Sequence, residues 1–169
     1  RFGSEKNMTS CAECPIGKVS KTANATVCSD CDIGQSSNRN GSASCNPCPA
    51  GKYSNEQGRP CKKCKPGRFR TNADDTGEHG QTQSSKDSVT CLPCIAGFYQ
   101  ESEGGTLCFP CLPGRFGSEK NMTSCAECPI GKVSEKPEAT ICLECEAGHS
   151  SDTKGSSSCE PCELGKYEL

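Results

Sequence analysis

The sequence predicts a small disulfide-rich fold: an elongated tandem array of short β-hairpin modules, with little regular secondary structure and no large hydrophobic core. Cysteine supplies 18 of the 169 residues, hydrophobic residues make up 31% with cysteine included, and there is no tryptophan. Such a chain cannot offset its conformational entropy by apolar burial alone, so cross-links must contribute. This cysteine density is typical of proteins in oxidising compartments, which predicts an extracellular, secreted or cell-surface location.

The second observation is a short internal repeat. Nine Cys-x-x-Cys pairs begin 17 residues apart, apart from one spacing of 16 and one of 30. The third residue after every pair is glycine, which indicates positive φ or a close backbone approach at that position. These glycines are Gly17, Gly34, Gly51, Gly67, Gly97, Gly114, Gly131, Gly148 and Gly165.

Each module of about 17 residues is predicted to be one hairpin. Two positions beyond the glycine the residue is mostly aromatic or β-branched, as at Tyr53, and turn-forming residues follow before the next cysteine. Hairpins this small are not stable alone in water. We expect disulfides to hold them and each unit to touch only its neighbours.

A longer repeat lies above the modules. Residues 1–20 recur letter for letter at 115–134, which predicts a super-repeat of 114 residues. Residues 1–114 then form six modules, with 65–90 as a long loop insertion, and 115–169 form the first half of the next super-repeat. We expect the polypeptide to continue beyond both ends.

Paired cysteines have three chemical uses. A zinc finger is disfavoured because nine pairs do not divide into two-pair sites, and a redox dithiol needs a βαβ context that the sequence lacks. Structural disulfides remain, although spacing alone does not fix their connectivity. The simplest pattern closes each hairpin: Cys14–Cys28, Cys31–Cys45, Cys48–Cys61, Cys64–Cys91, Cys94–Cys108, Cys111–Cys125, Cys128–Cys142 and Cys145–Cys159. Cys11 and Cys162 are then left over, as candidates for head-to-tail intermolecular bonds.

A family resemblance supports this pattern. Cys14-Pro-Ile-Gly-Lys-Val-Ser…Cys28 and Cys48-Pro-Ala-Gly-Lys-Tyr-Ser…Cys61 resemble the Cys-Pro-x-Gly-x-Tyr units of tumour necrosis factor receptor ectodomains. They resemble still more the ephrin-receptor-like cysteine repeats of extracellular proteins. In the receptor family the cysteine before Pro-x-Gly bonds forward to the first cysteine of the next module. The present chain lacks the two-disulfide unit that usually alternates with such modules.

Other candidate sites are few. Sequons at Asn7, Asn24, Asn40 and Asn121 predict N-linked glycans. His79 and His149 have no catalytic partner in the sequence, and the group Asp74, Asp75, Glu78 and His79 fits no calcium-loop pattern. We expect no catalytic residue, no metal and no other cofactor.

These features predict an extracellular structural protein that assembles with itself, as the glycosylated building block of a filament, surface hair, stalk or coat. The alternative is the ligand-binding or adhesion ectodomain of a cell-surface receptor, with an unidentified protein ligand. Nineteen basic and 21 acidic residues form no long run of one sign, so nucleic acid is not expected as a partner. No apolar run approaches the length of a membrane span.

Overall fold

The computed structural model describes residues 10–71 and 89–165. Its regular structure consists of sixteen two-residue strands. They are β1 Lys18–Val19, β2 Ser29–Asp30, β3 Gln35–Ser36, β4 Asn46–Pro47, β5 Lys52–Tyr53, β6 Lys62–Lys63, β7 Arg68–Phe69, β8 Leu92–Pro93, β9 Phe98–Tyr99, β10 Phe109–Pro110, β11 Arg115–Phe116, β12 Ala126–Glu127, β13 Lys132–Val133, β14 Leu143–Glu144, β15 His149–Ser150 and β16 Glu160–Pro161. Each odd-numbered strand pairs with the next strand, which gives eight two-stranded sheets. The predicted disulfide-rich tandem array of hairpins is confirmed.

A tight turn starts each hairpin. In the first, the Lys18 N–H donates to the Pro15 carbonyl at 3.0 Å, and Gly17, the third residue of the turn, has a φ of 91°. Positive φ at that position is what a type II turn requires, and glycine adopts it without strain. All nine repeat glycines have positive φ, as the sequence predicts.

Eight disulfides close the hairpins, and their Cα atoms are 5.6 or 5.7 Å apart. The bonded pairs are Cys14–Cys28, Cys31–Cys45, Cys48–Cys61, Cys64–Cys91, Cys94–Cys108, Cys111–Cys125, Cys128–Cys142 and Cys145–Cys159. Within the described residues, ten of the fourteen buried hydrophobic residues are cysteines, and the others are Val19, Phe69, Phe98 and Val133. Sulfur therefore takes much of the place that aliphatic side chains fill in an ordinary core.

Neighbouring hairpins are joined by main-chain hydrogen bonds that recur along the chain. The repeat glycine donates its N–H, at 2.7–2.8 Å, to the carbonyl of the residue that follows the first strand of the next hairpin. These bonds join Gly34 to Ser54, Gly51 to Arg70, Gly67 to Gln100, Gly97 to Gly117, Gly114 to Ser134 and Gly131 to Ser151. Because both groups belong to the backbone, the contact does not depend on the side chains.

A second set of bonds runs the opposite way. The residue at the tip of a hairpin donates its N–H, at 2.8–3.0 Å, to the carbonyl of the cysteine that opens the preceding hairpin. The donors and acceptors are Gly41 and Cys14, Gly58 and Cys31, Asn121 and Cys94, Glu138 and Cys111, and Gly155 and Cys128. Each of these tip residues has positive φ.

Hairpins also touch the next hairpin but one, so the expectation that each unit touches only its neighbours is wrong. A Cβ atom added at Gly17 would lie 2.5 Å from the carbonyl oxygen of Gly58, two hairpins further on. The same overlap would arise between Gly97 and the Glu138 carbonyl, and between Gly114 and the Gly155 carbonyl. The glycines are therefore required by close approach as well as by φ.

The chain divides into two compact units. The first comprises Arg1–Cys64 and Arg70–Leu92, and the second comprises Lys65–Phe69 and Pro93–Leu169. Within the first, hairpins β1–β2, β3–β4 and β5–β6 stack through the bonds described above. Within the second, hairpins β9–β10 to β15–β16 stack in the same way. The super-repeat boundary at residue 114 stays a prediction.

We predict different effects of one alanine substitution at two glycines. Both Gly114→Ala and Gly131→Ala force a Cβ into positive φ (82° and 79°), at about 1–2 kcal/mol each. Only Gly114 faces a carbonyl, because nothing lies within 4 Å of a Cβ at Gly131. Native-state hydrogen exchange of the Gly155 amide should accelerate in Gly114→Ala and change little in Gly131→Ala. Equal acceleration in both variants would contradict the close-approach role.

Candidate functional site

Cys11 and Cys162 are the free cysteines of the described residues. Cys11 is exposed and Cys162 is half-buried. In the aligned repeat their counterparts are Cys125 and Cys48, which are bonded to Cys111 and Cys61.

The remaining titratable groups form no catalytic arrangement in the part of the chain that the structure describes. His149 lies on an open groove that Lys132, Glu144 and Asp152 also line. Lys132 Nζ is 2.9 Å from Glu144 Oε1, and this hydrogen-bonded cation lowers the pKa of the Glu144 carboxyl. The same groove is also lined by Ser150, Ser151 and the free cysteine Cys162.

Over residues 10–71 and 89–165, no three His, Cys, Asp or Glu side chains stand close enough to hold a metal ion. The candidates Asp74, Asp75, Glu78 and His79 lie outside the described residues. Nor do the described residues contain a helix with the length and apolar character that a membrane span requires.

The sequon asparagines are exposed wherever the structure describes them. Asn24 and Asn121 occupy hairpin tips with φ of 61° and 64°. Asparagine tolerates this left-handed conformation better than most residues, which explains both positions without a glycan. Asn40 accepts a hydrogen bond through Oδ1 from the Ile16 N–H at 3.2 Å. Asn7 lies outside the described residues.

Arg70 is a structural residue that the sequence analysis missed. Its side chain is buried (4% exposed), and Nη1 donates to the carbonyls of Cys48, Pro49 and Lys52 at 2.9, 2.7 and 2.7 Å. Burial lowers the pKa of the guanidinium, which stays charged because arginine titrates so high. The signal available in the sequence was a break in the repeat, because this position is serine in five other modules: Ser20, Ser37, Ser54, Ser134 and Ser151.

Three hairpins carry residues of opposite charge at one cross-strand position. Lys18 faces Asp30, Arg115 faces Glu127, and Lys132 faces Glu144. Their charged atoms are 2.8, 2.6 and 2.9 Å apart, respectively. In hairpin β5–β6 the same position holds Lys52 opposite Lys63, which is a like-charged pair.

Hairpins closed by disulfides and stacked through backbone hydrogen bonds define a disulfide-rich repeat protein. Residues 80–128 match the family model described as tyrosine-protein kinase ephrin type A/B receptor-like. This match and the eight disulfides in tandem modules fit a cysteine-rich repeat of ephrin-receptor-like type, as the sequence resemblance implies. Repeats of this kind are non-catalytic modules. No curated protein matches the chain. The disulfides and the receptor-like repeat indicate an extracellular location.

A strained residue at a hairpin tip gives a stability prediction. Glu138 has a φ of 65° at the position that Asn121 occupies one hairpin earlier. A non-glycine residue in this conformation costs about 1–3 kcal/mol, and less for asparagine. Glu138→Asn should therefore raise the midpoint of thermal unfolding by a few degrees in protein without glycans and with its disulfides intact.

The reverse substitution, Asn121→Glu, is the matched control and should lower the midpoint of thermal unfolding. A Glu138→Asn variant that unfolds at a lower temperature than the original chain would contradict the prediction.

Proposed function

We propose that this protein is an extracellular structural repeat protein, a glycosylated building block that assembles with copies of itself into a filament, surface hair, stalk or coat. The observation that carries the proposal is that the recurring segment has the same exposed apolar side chain in both copies. Ile16 and Ile130 occupy equivalent positions in the identical segments and are 42% and 60% exposed. Beside them, Val19 and Val133 are both buried, and Lys18 and Lys132 both form cross-strand ion pairs.

Identical exposed apolar side chains at a fixed interval suit a periodic assembly. A contact made once through Ile16 is available again through Ile130, within the same stretch of sequence. Exposed apolar surface in a soluble protein is a common mark of interaction sites. The fold of a module requires little more than its cysteines and its glycine. Twenty identical residues in a row are therefore more than folding alone needs.

The second candidate function is a receptor or adhesion ectodomain. The family match favours it, because the matched model is described as receptor-like. In that case the exposed isoleucines would contact another protein, and copies of the chain would stay separate in solution.

Electron microscopy and sedimentation of the purified protein test the first function. We expect ordered polymers whose formation depends on concentration. The double variant Ile16→Glu and Ile130→Glu should reduce assembly at least tenfold and keep the fold, because both side chains are exposed. Ile33→Glu is the matched control: Ile33 holds the same position in another module, is 47% exposed, and lies outside the identical segments.

Dispersed single chains at all concentrations would reject self-assembly and favour the receptor function. If the Ile33→Glu control loses assembly to the same extent, the contact between copies is not specific to the identical segments. Non-reducing electrophoresis of the same polymers reports whether Cys11 and Cys162 join neighbouring copies, as we also propose.

Glycosylation gives a further prediction. Asn24, Asn40 and Asn121 are exposed, and a glycan on any of them would extend into solvent. We expect glycans at these three residues and at Asn7 in protein secreted by eukaryotic cells. Mass spectrometry after glycosidase treatment in heavy-oxygen water would show labelled aspartate at each used position. Unlabelled asparagine at all four positions would contradict the glycosylated character of the proposed building block.

A further inference from the structure

Hairpin β5–β6 concentrates positive charge on a chain whose formal net charge is −2. Residues 48–63 contain four basic side chains and one acidic side chain. The basic residues are Lys52, Arg59, Lys62 and Lys63, and together they are called here the β5–β6 basic patch. All four belong to the first compact unit. Arg59, Lys62 and Lys63 are exposed and Lys52 is half-buried, so solvent reaches the whole patch.

The centre of this patch differs from three other hairpins of the chain in the charges that face each other across the strands. Where Lys18, Arg115 and Lys132 each face a carboxylate across the strands, Lys52 faces Lys63. Side chains directly opposite each other have Cβ atoms about 4.5–5.5 Å apart, and like charges at that distance are destabilising. Among the described residues, no carboxylate forms an ion pair with either lysine. An external anion would remove this repulsion.

The flanking charges strengthen the same field. Lys62 Nζ lies 3.4 Å from Glu56 Oε1, and Arg59 Nε lies 3.5 Å from Glu56 Oε2, so one carboxylate serves two cations. Beneath them, the buried guanidinium of Arg70 donates to the carbonyl of Lys52. Two acids of other hairpins also lie at the tip of this hairpin: the Asp30 carboxylate lies beside Gly58 and pairs with Lys18, and Asp32 Oδ1 accepts a hydrogen bond from Gln57 Nε2 at 3.4 Å. The excess of positive charge is therefore on the strands, at Lys52 and Lys63.

We propose that the β5–β6 basic patch binds a sulfated polysaccharide. Lysine ammonium groups are compact charges on flexible stems that suit sulfate groups, which a linear polysaccharide presents at intervals. The disulfides indicate an extracellular location, which is where sulfated polysaccharides occur. A short sequence rich in lysine and arginine is a known signature of heparin-type patches. The proposal goes beyond self-assembly and does not depend on it.

The direct test is fluorescence anisotropy of a labelled heparin hexasaccharide titrated with the protein at about 0.15 M ionic strength. The decisive variant is Lys63→Glu, which recreates the lysine–carboxylate pair of the other hairpins and should therefore fold normally. We expect it to weaken heparin binding at least tenfold. The control Lys154→Glu makes the same change of charge at an exposed residue of another hairpin and should alter the affinity less than twofold.

Two further measurements separate a sulfate site from general attraction of polyanions. The slope of log affinity against log salt should become shallower by about one for each cation removed, by analogy with phosphate contacts. Hyaluronan, which carries carboxylates and no sulfate, and a DNA oligonucleotide of matched charge should bind at least tenfold more weakly than heparin. The proposal is overturned if Lys63→Glu binds heparin as well as the original chain, if Lys154→Glu weakens binding equally, or if DNA or hyaluronan binds as tightly as heparin.

Discussion

The main-chain contacts of the repeat glycine are the constraint on which the rest of the structure depends. At Gly114 the N–H donates to Ser134, the carbonyl accepts from Cys128, and the Cα lies against the carbonyl of Gly155. One residue thus links three consecutive hairpins. Any side chain at this position would separate the third hairpin from the first. The disulfides close the loops, but the glycines determine how closed loops pack on one another.

Disulfides close each hairpin and backbone hydrogen bonds stack the hairpins, so the fold needs few apolar residues. A loop of about 15 residues gains about 3 kcal/mol from a disulfide in the chain-entropy model. The half-cystine that opens a hairpin is nearly inaccessible in seven of the eight described hairpins, as at Cys14, Cys64 and Cys111, and is half-buried at Cys145. The same cysteines offer their carbonyls to the tip of the next hairpin where such a bond is formed, as Cys14 does to Gly41. The opening cysteine thus forms the disulfide through its side chain and binds the next hairpin through its carbonyl.

The local structure was largely predictable from the sequence, and the relations between hairpins were not. The glycine spacing indicated positive φ, and the module length indicated hairpins, because both depend on residues close together in the chain. The bonded cysteines are the pairs of the simplest hairpin-closing pattern. The Gly17–Gly58 contact joins residues 41 positions apart, and nothing in a 17-residue period says which hairpins meet in space. The Lys52–Lys63 opposition was missed for a similar reason: strands of two residues have no hydrophobic alternation from which to read a register.

The disulfide between Cys64 and Cys91 has a consequence for how such a protein can change during evolution. These cysteines are 27 residues apart, about twice the separation in the other hairpins, yet their Cα atoms lie at the same 5.7 Å. The hydrogen bond from Cys94 to Gly67 keeps the usual length of 2.9 Å. Doubling a flexible loop costs only about 0.6 kcal/mol of closure entropy. The Cys64–Cys91 cystine therefore tolerates a loop of twice the usual length without a change in the geometry of the bonded cysteines, so the chain between two bonded cysteines is where such a repeat can lengthen during evolution.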